Sequence, residues 1–254
     1  MTFEPWQWAL LALGSLTVGL SKSGIPGLGI LFVALIQIVM PGKAATGLML
    51  PLLIVGDVFA VATYRQHTQW RHVFRLFPWT AVGVVAGYFA LEAVDNRQAT
   101  ILIGGILFAM LAMHLWRSRK NAAQRMEQEV VEHAVWFAPM TGILAGFTTQ
   151  VANAAGPVMI LYLLAMRLPK MDFLGTAAVF FMALNLFKIP FMVDLGMITT
   201  DGLIVNAWLA PAVIVGSLLG RALAGRIPQK LFERLALVLT FAAAAKLLWS
   251  ALVG

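Results

Sequence analysis

The sequence has no cysteine. That excludes disulfides, thiolate metal sites and thiol catalysis. Charge is also scarce: Asp, Glu, Lys and Arg make up 11% of the residues, against about 25% in a soluble domain. Long polar stretches are missing apart from one, Arg117 to His133. There is no His-Glu-x-x-His, no clustered acidic pair for a metal, and no Gly-rich loop of the Walker type. The first twenty residues carry Glu4 as their one charge and lack a basic start, so the first segment is expected to be retained rather than cleaved as a signal peptide. What fills the chain is apolar: 61% hydrophobic residues and a mean hydropathy of +0.86. These values describe a polytopic membrane protein of the all-α class.

Ten apolar segments can be drawn, at about 6–20, 26–40, 44–64, 73–91, 99–116, 135–147, 157–168, 173–193, 203–219 and 232–252. The formal charge is +7, which raises the question of nucleic acid. The basic residues sit instead in short loops between apolar segments, where they orient a membrane protein. Fourteen of the eighteen Lys and Arg fall in odd-numbered loops. The other side holds Lys43, Arg97 and Lys188, and Lys246 lies within the last segment. Odd loops are therefore expected in the cytoplasm, with both termini outside. The eight tryptophans fall near segment ends, as interface belts require.

Two stretches interrupt this pattern. The first is Gly19-Leu20-Ser21-Lys22-Ser23-Gly24-Ile25-Pro26-Gly27; the second runs from Gly146-Phe147-Thr148-Thr149-Gln150 through Asn153 to Gly156-Pro157. The apolar runs beside the first are about 15 residues, short of the ~20 that a helix needs to cross; those beside the second are shorter. Such paired interruptions in corresponding halves point to a transporter's binding site. Segments 1–2 and 6–7 are therefore expected to be broken or re-entrant helices, the alternative being ordinary tight turns at the membrane surface. Pro26 and Pro157 suit the first turn of a helix, and a helix start with open amides binds anions. Ser21, Lys22, Ser23 and Gly24 in the first break, and Thr148, Thr149, Gln150 and Asn153 in the second, are the candidate substrate-binding residues.

The halves look duplicated. Pro78, Gly83, Gly87 and Leu115-Trp116 match Pro211, Gly216, Gly220 and Leu248-Trp249 at one offset; Gly47 and Asp57 match Gly175 and Asn185 at another. Five segments per half is an odd number, so the copies must insert with opposite orientation, as an inverted repeat. The division expected is 1–116 as first repeat, 117–134 as a cytoplasmic linker and 135–254 as second repeat. Gly83-x-x-x-Gly87 and Gly216-x-x-x-Gly220 suit close helix packing. Asp57 lies mid-segment, where an unpaired charge costs roughly 2.5–3.5 kcal/mol. Asn185 and Lys188 share a helix face one turn apart and join the candidate site. Asp57 is assigned either an ion pair with Lys188 across the repeats or a coupling role; a snorkelling Lys188 is the further alternative.

Taken in order, Gly19-Leu-Ser-Lys-Ser-Gly-Ile-Pro-Gly27, Gly146-Phe-Thr-Thr-Gln with Ala152-Asn-Ala-Ala-Gly-Pro157, and Asn185-x-x-Lys188-x-Pro190 resemble the TauE/SafE family of sulfite exporters and anion permeases. The resemblance covers nearly the whole chain. It implies a bacterial inner-membrane protein that exports sulfite, sulfoacetate or a related organosulfur anion. The first break departs from the glycine-rich form common in the family by carrying Ser21, Lys22 and Ser23, which implies a selectivity of its own. The inside-negative potential favours anion exit by about 2.3 kcal/mol per charge per 100 mV, so export needs no nucleotide. The expectation is a secondary transporter without cofactor or metal, with an anion channel and a membrane-embedded enzyme as competitors. The partners expected are the small anion and the lipid bilayer, no nucleic acid, and a homodimer as the oligomer to test.

Overall fold

In the computed structural model, residues 3–40, 43–93 and 136–253 are described. The expected segment 99–116, the linker 117–134, the pair Leu115-Trp116 and the boundary at 116 lie outside them. Among the described residues there are nine α-helices and a single 3-10 turn, Arg65–His67. The helices are α1 Pro5–Ser23, α2 Gly29–Val39, α3 Lys43–Tyr64, α4 Trp70–Ala93, α5 Phe137–Ala152, α6 Ala155–Ala165, α7 Lys170–Asp194, α8 Thr200–Arg226 and α9 Gln229–Val253. Each corresponds to one expected segment. Among the described residues, four stretches, Ala44–His67, Trp70–Leu91, Lys170–Asp194 and Thr200–Arg226, are long and apolar enough to cross a membrane. Both α2 and α6 have only 11 residues, about 16 Å at 1.5 Å per residue, roughly half the ~30 Å hydrocarbon core.

Local chemistry sets several helix ends. At the start of α1, Pro5 occupies the first turn, where its missing N–H is no loss. Glu4 and Gln7 cap each other, with the Glu4 amide donating to Gln7 Oε1 at 2.9 Å. The Thr199 hydroxyl accepts from the Gly202 amide at 3.1 Å to begin α8. Between α5 and α6, Asn153 takes a left-handed conformation, φ +50°, a region that asparagine tolerates better than most residues.

Both breaks are shorter than the sequence suggested. Gly19 to Ser23 is the last part of α1, and Gly146 to Ala152 is the last part of α5. The chain leaves helix only at residues 24–28 and 153–154. Pro157 is in the first turn of α6 as expected; Pro26 is not in a helix and precedes α2 by three residues. The reason is packing. A Cβ on Gly19 would fall on the Val213 carbonyl, and one on Gly146 on the Thr80 carbonyl. These glycines let backbones touch, and the neighbouring helix supplies the support.

The glycine contacts also fix the directions of the helices. Gly83 and Gly87 of α4 meet Ile143, Phe147 and Gln150 of α5 in ascending order, so α4 and α5 run parallel. Gly216 and Gly220 of α8 meet Leu16, Leu20 and Gly24 at the end of α1 in the same way. Gly47 near the start of α3 packs on Met197, after α7, and Gly175 near the start of α7 packs on Tyr64 to Thr68, after α3. α3 and α7 therefore run antiparallel, and each carries its glycine against the turn that ends the other. The largest buried cluster gathers α6 with parts of α3, α4, α5, α7, α8 and α9; a second joins α1, α2, α3 and α8.

Candidate functional site

The ends of α1 and α5 meet across α3 and α7. Both breaks line one cavity of about 160 Å³. Its wall includes Ser21, Lys22, Pro26 and Gly29 from the first break, Thr149, Asn153 and Pro157 from the second, and Asn185 from α7. The two breaks thus lie together at one cavity.

Two lysines hold this arrangement. Lys22, in the last turn of α1, places Nζ 2.6 Å from Asp57 Oδ1 and 4.3 Å from the centre of the Phe181 ring. Asp57 is fully buried, and its second oxygen accepts from Asn185 Nδ2 at 2.6 Å. Lys188, also fully buried, donates to the Thr149 carbonyl at 2.9 Å, to Thr149 Oγ1 at 3.2 Å and to Asn153 Oδ1 at 2.7 Å. Asn153 Nδ2 donates in turn to the Thr46 carbonyl at 3.2 Å. One turn of α7 thereby holds both breaks: Asn185 through Asp57 and Lys22, Lys188 directly.

This corrects the pairing expected from the sequence. Asp57 is joined to Lys22 and not to Lys188. Lys188 does not snorkel; it satisfies carbonyl and amide oxygens at the end of α5. The α1–α8 glycine contacts set the depth of Lys22, bringing it level with the middle of α3.

The other expected site residues divide. Ser21 lines the cavity and its oxygen accepts from the Gly29 amide at 3.0 Å, so the first amide of α2 is occupied by this serine and is not open. Ser23 and Gly24 do not line the cavity: the Ser23 carbonyl accepts from the Tyr64 hydroxyl at 2.7 Å, and Gly24 lies against Gly220. Thr148 bonds back within its own helix to the Leu144 carbonyl at 2.7 Å. Gln150 is buried beside Gly87, its amide without a partner among the described residues. Helical periodicity explains the split, since Thr149 faces α7 while its two neighbours point elsewhere. Among the wall residues that the sequence reading did not name are Gln37 and Phe181. Gln37 is the lone polar side chain of α2 and could have been found on that ground; Phe181, in an aromatic-rich stretch, gave no signal.

Two lysines and one aspartate leave a formal charge of +1. Lys22 reaches the cavity, Asp57 uses only part of its donor capacity, and an ammonium has three donors. The Ser21 hydroxyl hydrogen has no acceptor among the hydrogen bonds of the described residues. Comparisons with curated proteins and with solved structures found no match. A family model described as sulfite exporter TauE/SafE matches residues 11–247. A match over nearly the full 254 residues shows that the chain belongs to the TauE/SafE sulfite exporter family of membrane transporters.

Proposed function

We propose that this protein is a secondary transporter that exports a small anion, sulfite or an organosulfur anion such as sulfoacetate, across a bacterial inner membrane. The observation that carries the reading is the convergence of both helix breaks on one cavity with Lys22 in its wall. In this reading Lys22, Ser21, Thr149, Asn153 and Asn185 surround the anion. Lys188 supplies charge from behind the wall and Asp57 holds Lys22 in place.

The architecture in this reading is an inverted repeat. Its support is the reciprocal packing of Gly47 and Gly175 and the antiparallel course of α3 and α7. The α1–α2 and α5–α6 hairpins would enter from opposite sides and meet at mid-depth, as in transporters built from discontinuous helices. The positive-inside bias puts the α3–α4 and α8–α9 turns in the cytoplasm and the α7–α8 turn outside.

Counterflow tests the function. Purified protein in liposomes loaded with unlabelled sulfite should accumulate labelled sulfite transiently and saturably. Flux without counterflow or saturation would indicate a channel, and no flux of any sulfur anion would overturn the reading.

A further inference from the structure

Side chains tie the start of α7 to the α3–α4 turn. The Gln69 amide donates to Thr176 Oγ1 at 3.0 Å, Gln69 Nε2 donates to Asp172 Oδ2 at 2.8 Å, and Thr68 Oγ1 donates to the Gly175 carbonyl at 3.2 Å. His67 Nδ1 lies 3.8 Å from Asp172 Oδ1. Between the tied residues stand Phe173 and Leu174. Both belong to the cavity wall, as does Leu163 of α6, and all three are at most 2% exposed. The strap thus lies behind an end of the cavity that is shut.

The corresponding place in the other half is different. At the two offsets that match Gly47 with Gly175 and Pro78 with Pro211, the counterparts of Asp172, Thr176 and Gln69 are Ala44, Leu48 and Gly202. None of the three has a polar side chain, so no strap can form there. Both ends keep their glycine contact, Gly47 on Met197 and Gly175 on Tyr64 to Thr68. Beside the Gly47 contact is a gap of about 180 Å³, lined by Ala44, Leu48 and Gly202. Toward this end the cavity wall includes Leu53, half-buried, and Gln37, exposed. Opening the Phe173 end therefore breaks side-chain hydrogen bonds that the counterpart positions do not have. A contact made in only one of two conformations shifts the population toward that conformation.

We propose that Gln69, Asp172 and Thr176 form a gate strap that sets the resting orientation of the transporter. It holds the Phe173 end shut and biases access to the cavity toward the Gln37 end. Each turnover then includes release and remaking of the strap. This deepens the transport reading, on which it rests; in the topology of that reading the end held shut is the cytoplasmic one.

The test uses single cysteines in the cysteine-free chain, in liposomes and without anion. Leu163→Cys reports the shut end from α6, outside the strap. Leu50→Cys, fully buried and not in the cavity wall, reports general loosening. An impermeant thiol reagent on the cytoplasmic face should leave both almost unreacted. Adding Gln69→Ala, Asp172→Ala and Thr176→Val removes two of the three hydrogen bonds and should speed labelling of Leu163→Cys by about tenfold or more, with Leu50→Cys unchanged. No change at Leu163→Cys overturns the proposal, and so does an equal rise at both positions, which would mean loosening of the fold. The converse variant carries Gln69→Cys and Asp172→Cys, joined by a short reducible bifunctional thiol reagent. Joining should stop sulfite counterflow, and dithiothreitol should restore it. Normal counterflow in the joined protein, or failure of the two thiols to join, overturns the strap. If the wild type shows no counterflow of any sulfur anion, the transport reading falls instead, and the labelling rates still decide whether the strap holds the cavity shut.

Discussion

Lys22 Nζ lies 2.6 Å from Asp57 Oδ1, joining the end of α1 to the middle of α3. The lysine side chain is 11% exposed, on the cavity side, and the aspartate not at all. Breaking such a pair from one side strands a buried charge, which costs about 3–5 kcal/mol, whereas removing both partners is far cheaper. Lys22→Gln and Asp57→Asn should each lower the melting temperature clearly in detergent. The double variant should recover most of the loss. Additive losses would show that the two groups do not interact.

Lys188 gives a contrasting prediction. Its partners are the Thr149 carbonyl and Asn153 Oδ1, not Asp57. Lys188→Met leaves those oxygens unpaired, at about 1–3 kcal/mol, and should speed amide hydrogen exchange around residues 150–156. Combined with Asp57→Asn, its cost should fall short of additive, but by less than for the Lys22–Asp57 pair, because the two buried groups interact through space without direct contact. Strong coupling in that cycle would restore the pairing that the sequence suggested.

How much was legible beforehand follows from the range of each signal. The nine described helices were readable as apolar runs because each is a local pattern. Their breaks were overextended because a glycine that interrupts a helix and a glycine that packs it read alike in sequence. Gly19 and Gly146 are packing glycines, and the residues after them stay helical. The cavity's membership was half legible: polar residues in a break are visible, but which of Thr148, Thr149 and Gln150 faces inward depends on the rotation of α5. The partner of Asp57 was not legible at all. It depends on how far α1 slides along α8, and that offset is set by Gly216 and Gly220 meeting Leu16, Leu20 and Gly24.

The glycines themselves can be tested in pairs. Gly146→Ala puts a methyl group onto the Thr80 carbonyl and should cost about 1–3 kcal/mol or prevent folding. Gly225, also in a helix, has open space where its Cβ would be. Gly225→Ala should be neutral or stabilise by about 0.5–1 kcal/mol. Equal melting temperatures for the two variants would contradict the interlock.

Topology is open to labelling, because the background is free of cysteine. Gln66 in the turn after α3 and Thr200 at the start of α8 are both exposed. Cysteine at Gln66 should react with an impermeant reagent only from the cytoplasmic face, and cysteine at Thr200 only from outside. Labelling of both from one face would rule out the antiparallel insertion of the two hairpins.

The most direct measurement of the central claim uses the Lys22→Gln, Asp57→Asn double variant in the counterflow assay. It removes the lysine that reaches the cavity while sparing the fold from a stranded charge. The account predicts a protein that melts close to the wild type and has lost saturable anion counterflow, or binds the anion at least tenfold more weakly. A double variant that is well folded and transports like the wild type would contradict the claim that the anion is recognised at Lys22, where the two broken helices meet.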